Sequence, residues 1–110
     1  MKNEKNQQSI NDTLTERGLR YGPFDGHAAI TQALKRVMVG DIKLMEPDSS
    51  TKHVPCTNWR KLSPSQKEAL EMIAHKIGRI LNGDPNYSDS WHDIAGYAQL
   101  VEMEILANEK

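Results

Sequence analysis

One helix start constrains this chain more than any other feature. Ser63 is a good N-cap, Pro64 suits the first helical position, and Gln66 completes a capping box. Leu70, Ile73, Ala74, Ile77 and Leu81 then recur at helical spacing and form the expected buried stripe. Asn82-Gly83 stops the helix and Pro85 prevents its resumption. A further helix is expected from Ser88–Ser90 to about Ala107, with Trp91, Ala95, Ala98 and Ile105 on one side. Its Gly96 costs about 1 kcal/mol relative to Ala, which close approach of a helix or ligand would explain. These two helices, joined by a short loop, should lie antiparallel.

The rest of the chain fits around that pair. Ile30, Ala33, Leu34, Val37 and Met38 predict a helix over 27–39, stopped by Gly40. Residues 12–20 suit one or two helical turns before the Tyr21–Gly26 turn region. Residues 1–10 are polar and expected to be disordered. Residues 40–61 hold Pro47 and Pro55 and no sustained period, so they read as a long loop, either insertion or flap, whose far end Trp59 and Leu62 anchor. Trp59 and Trp91 read as core. The fold class is all-α: three main helices plus a short N-terminal helical segment, in a single domain over 11–108.

Apolar residues make up 37% of the 110-residue chain, which has a single Phe, so a lone copy would be thinly packed. Apolar residues on two sides of a helix would point to a homo-oligomer, a dimer or higher. The net charge of −1, from 14 basic and 15 acidic residues, lacks the basic excess of a general nucleic-acid binder. No long apolar run suggests a membrane span and no signal peptide is evident, so the expected location is cytoplasmic. Cys56 is the one cysteine, which rules out an intrachain disulfide. His53 and Cys56 together supply too few ligands for zinc. The Gly83–Tyr87 loop lacks the central Gly and distant Glu of an EF-hand.

Two groups of residues carry candidate chemistry. Glu68 and Glu71 are three apart on one predicted helix; Asp89 and Asp93 are four apart on the next. Facing each other, they would hold Mg²⁺ beside a phosphate, with Glu68 and Glu71 as the catalytic pair; otherwise they are two solvated faces. His75, Lys76, Arg79 and Asn82 follow on the same helix, with Lys76 and Arg79 suited to phosphate. In ERGLRYG, Arg17 is suited to phosphate and Tyr21 to stacking on a base. The alternative for these residues is surface ion pairs and a packed tyrosine. No Gly-rich phosphate loop or His-Glu-x-x-His is present, which leaves metal-assisted chemistry as the enzymatic option.

The blocks TLTERGLRYGPFDGHA and EALEMIAHKIGRILNGDPNYSDSWHDIAGYA resemble a family of small phage and prophage proteins described only as a domain of unknown function. The likeness covers roughly residues 11–105 apart from 40–61. More distantly, DSWHDIAGYAQL is similar to the last motif of MazG-like all-α nucleoside triphosphate pyrophosphatases and to the phage nucleotide-modification-associated domain. That resemblance implies a MazG-like helical bundle completed by oligomerisation, with Mg²⁺ on a Glu-x-x-Glu and a Glu-x-x-Asp pair. Glu68, Glu71 and Asp93 match; Ser90 stands where the remaining Glu belongs, with Asp89 the nearest substitute. It implies a phage-type nucleotide-handling protein in the bacterial host cytoplasm, as a Mg²⁺-dependent pyrophosphohydrolase. The alternatives are a sponge-like anti-defence protein that sequesters a host nucleotide signal without cleaving it, or a structural interaction module.

Overall fold

A computed structural model describes residues 2–40, 42–54 and 58–109 of the protein. The fold is all-α with one small hairpin: α1 (Lys2–Tyr21), α2 (Phe24–Met38), β1 (Ile42–Met45), β2 (Thr51–Val54), α3 (Pro64–Asn82) and α4 (Ser88–Asn108). A single 3₁₀ turn, Trp59–Lys61, precedes α3.

α3 is the central element and begins as its sequence dictates. The Gln66 N–H donates to Ser63 Oγ at 3.1 Å, and the Ser63 N–H donates to Gln66 Oε1 at 2.9 Å. These bonds satisfy two groups that a helix end would otherwise leave unpaired. α2 and α4 flank α3. Lys76 of α3 pairs with Asp93 of α4 at 3.0 Å, while Gly78 lies against Thr31 and His27 of α2. Residues two apart on a helix differ by about 200° in direction, so α2 and α4 meet α3 on nearly opposite sides. The three helices therefore form a layer, and α1 meets it from one face through its C-terminal half.

Gly78 sets the spacing between α2 and α3. A Cβ there would stand 2.6 Å from Thr31 Oγ1 and 2.9 Å from His27 Nδ1. Only a residue without a side chain admits this approach. The contact is made by polar side chains, and the apolar stripe expected on α2 is turned partly away, leaving Val37 exposed.

The loops at the two helix junctions clasp each other. Asn82 donates from Nδ2 to the carbonyls of Tyr21 and Pro23, at 2.9 and 2.7 Å. The Asp84 N–H donates to the Arg20 carbonyl at 2.7 Å. Gly22 ends α1 with φ of +76°, and a Cβ there would lie 2.0 Å from the Asn82 carbonyl oxygen. Both the dihedral and the space demand glycine.

Several expectations are corrected. The helix of α1 continues back through the N-terminal residues expected to be disordered; Lys, Glu and Gln there are good helix formers. Residues 40–61 are not a structureless loop. Ile42↔Val54 through Met45↔Thr51 pair antiparallel, and the turn is closed by Asp48 accepting from the Ser50 N–H and hydroxyl at 3.0 and 2.6 Å. Four-residue strands are too short to show a period. Cys56 lies outside the described residues. Trp91 is not core but 56% exposed, with its indole N–H on the Pro85 carbonyl. Gly96 has open space where its Cβ would stand, so no close approach explains it among the described residues.

The largest departure concerns burial. Among the described residues only Ala69 and Ala74 are buried apolar side chains, whereas His27, Thr31, Lys76 and Ser90 are buried polar ones. Within the expected core stripe of α3, Leu70 is 39% and Leu81 67% exposed. The radius of gyration is 18.7 Å, against about 13 Å for a compact 100-residue domain.

Because the two junctions depend on one side chain, Asn82→Ala should cost about 2 kcal/mol and lower the melting temperature. A surface change such as Gln99→Ala should stay within about 0.5 kcal/mol. Circular-dichroism melts of the two variants check this. Equal melting temperatures would show that the clasp contributes nothing.

Candidate functional site: a cationic cavity under helix α1

The α1–α2 turn, fixed by Asn82, places the last turns of α1 over the junction of α2 and α3. Leu14, Arg17, Gly18 and Tyr21 fall at i, i+3, i+4 and i+7 and share one side of the helix. They roof a cavity of about 470 Å³ whose floor is α2 and α3, with Phe24, His27, Thr31, His75 and Arg79 on its walls. This volume is in the range of small-molecule sites. Among the described residues no carboxylate lines it.

One of the cavity's arginines, Arg79, is held in place by an aromatic ring. The Arg79 guanidinium lies 4.3 Å from the centre of the Tyr21 ring. Tyr21 in turn meets Tyr87 at 6.1 Å with a tilt of 59°. Stacking of this kind fixes a guanidinium plane without consuming its N–H donors. Neither Arg17 nor Arg79 forms an ion pair among the described residues. Behind this pair, Arg20 bridges Glu16 at 2.9 Å and donates to the Tyr87 hydroxyl, which donates to Asp89 at 2.8 Å. The Asp89 bond holds the Tyr87 hydroxyl above its ordinary pKa.

Two imidazoles form the floor, His27 and His75, with ring centres 5.6 Å apart. Both are held below the ordinary histidine pKa. For His27 the causes are burial, then His75 and Arg79, while contact with the Gly78 backbone pulls the other way. For His75 they are burial, then Lys35 and Arg79, with Glu71 opposing. Two neutral rings among cations are poised to take up protons when an anion enters. Beside them, Thr31 is 1% exposed, and its Oγ1 and His27 Nδ1 are buried without a hydrogen-bond partner among the described residues.

Four of the six residues assigned from sequence to nucleotide binding meet here: Arg17, Tyr21, His75 and Arg79. The other two do not line the cavity. Lys76 is 8% exposed and bound to Asp93, and Asn82 holds the loop clasp. His27 and Thr31 were missed. Their i, i+4 spacing in HAAIT puts two polar groups on one helical face, which is the only trace of them in the sequence.

The carboxylates are spread along the α3–α4 seam rather than gathered. Glu68 borders a shallow groove with Tyr97, Leu100 and Glu104, and Glu71 lies toward His75. Asp93 neutralises Lys76, and Asp89 accepts from Tyr87. Among the described residues no three of His, Cys, Asp and Glu form a group able to hold a metal ion. Of the four carboxylates expected to hold Mg²⁺, Asp93 and Asp89 are thus engaged with Lys76 and Tyr87.

The histidines give a signed pH dependence. Their folded pKa lies below the unfolded value of 6.5, so above that pH they are neutral in both states and cost nothing. As pH falls through 6.5 the unfolded chain takes up protons first, and stability is lost. The melting temperature should therefore drop between about pH 7.5 and pH 5.5, and drop less in His75→Gln. An equal drop in both proteins would contradict this origin.

No protein-family model, curated protein or solved structure matches the chain.

Proposed function

We propose that the protein binds a nucleotide in the cavity under α1 and works as a homo-oligomer. The observation that carries this reading is the lining: two arginines and two histidines with apolar and aromatic walls and, among the described residues, no ion pair to either arginine and no carboxylate. An anion gains from the cations, while a flat base gains from apolar surface. Arg17 and Arg79 would hold phosphate, with Arg79 already oriented by Tyr21. Phe24 and Leu14 offer the apolar side.

Binding without cleavage is the form these residues support best. The Mg²⁺-dependent pyrophosphohydrolase would need Glu68, Glu71, Asp89 and Asp93 to act together, and Asp93 and Asp89 are engaged elsewhere. A nucleotide-sequestering role in phage anti-defence belongs to the same reading and rests on the resemblance alone.

Calorimetry with a panel of linear and cyclic nucleotides tests it. Arg79→Ala should weaken binding by about 10- to 100-fold, the worth of a charge-assisted bond. Binding should be tighter near pH 6 than near pH 8, because the histidines gain protons beside the anion. Mass spectrometry of the bound ligand then separates the forms: an intact nucleotide supports binding alone. Pyrophosphate release that disappears in Glu71→Gln would establish the hydrolase instead. No binding by any member of the panel would end the proposal.

A further inference from the structure

The side of the α2–α3–α4 layer away from the cavity is apolar and bare. α3 has two free sides between its neighbours. Glu68, His75 and Arg79 lie on the cavity side. Leu70, Ile77 and Leu81 lie on the other, within about 40° of one another at 100° per residue. The flanking helices continue the pattern. On α2, Ala28 and Gln32 turn to the cavity, and Val37 lies on the opposite side. On α4, Gly96 and Leu100 border grooves on the cavity side, while Trp91 and Ile105 sit fourteen positions apart on the far side. Val37, Leu81, Trp91 and Ile105 are all exposed.

We infer that this face is where a second copy of the chain packs, forming an isologous dimer through Val37, Leu70, Ile77, Leu81, Trp91 and Ile105. A domain needs two layers around a core, and this chain supplies one layer with one apolar face. The accessible surface is 8630 Å², whereas a compact chain of 12.4 kDa exposes about 6,100 Å². The excess, roughly 2,500 Å² per chain over the whole molecule, would be about 5,000 Å² for two chains, so burying even half of it reaches the range of obligate homodimers. A transient partner does not suffice. With two buried apolar side chains among the described residues, the layer needs its cover in order to fold. A copy of the same chain is always present at synthesis, and a largely apolar face, with Glu102 as the charge among its α4 residues, can pair with itself about a two-fold axis.

The inference specifies the partner in the self-association proposed above and is independent of the ligand. Light scattering on the full chain should give a dimer or a multiple of it. With Cys56→Ser as background, Leu81→Cys should be joined to its mate by a short bismaleimide, while Gln99→Cys should not. Leu81→Lys should raise the dimer dissociation constant at least about tenfold. A monomer at micromolar concentration, or cross-linking through Gln99→Cys but not Leu81→Cys, would overturn the inference. Nucleotide titration of the same samples keeps the two proposals apart: a dimer that binds no nucleotide overturns only the ligand.

Discussion

The arrangement depends on a carboxamide. Asn82 ends α3 and gives both of its N–H donors to the turn between α1 and α2. Without that link, the end of α1 would be hydrogen-bonded to the loop after α3, among the described residues, only through Arg20, by its carbonyl to Asp84 and its side chain to Tyr87. With it, the direction of α1 is set and its Leu14–Tyr21 side is held over α2 and α3. Gly22 and Gly78 serve the same end: one lets the chain turn beneath Asn82, the other lets α2 come close enough to close the floor. The cavity is therefore a product of backbone proximity at two places, and its charged side chains are added to a space made by glycines.

The electrostatics of the site follow from that proximity. Burial holds His27 and His75 below the ordinary histidine pKa, and Arg79 reinforces the effect at both. Arg79 keeps its place by stacking on Tyr21 rather than by pairing with a carboxylate. Acidic side chains are drawn off elsewhere: Glu16 and Asp89 to the Arg20–Tyr87 chain, Asp93 to Lys76. The net charge of the whole chain is near zero, yet the cavity is locally cationic because these carboxylates are committed outside it.

Much of this was legible in the sequence. The start of α3 was readable because Ser63 and Gln66 act locally, and a capping box needs no tertiary partner. Arg17, Tyr21, His75 and Arg79 stand out in the sequence as candidate ligand groups by type and spacing. Their meeting in one cavity was not, because it depends on the Asn82 clasp across more than sixty residues. The burial of Lys76 was not readable, since no local signal says that a lysine will be buried against an aspartate on the next helix. The expected core stripe of α3 was correct as a pattern and wrong as a statement about one chain: Leu70 and Leu81 are apolar for a surface that this chain alone does not cover. The hairpin was missed because four residues per strand carry too little alternation.

The layer has its cationic cavity on one side and a largely apolar face on the other, with α3 dividing them. Two such layers joined back to back would point their cavities outward in opposite directions. Occupants of the two sites would be screened from each other by the full thickness of the joined helices. Filling would then be stoichiometric, one guest per subunit, with no electrical penalty for the second.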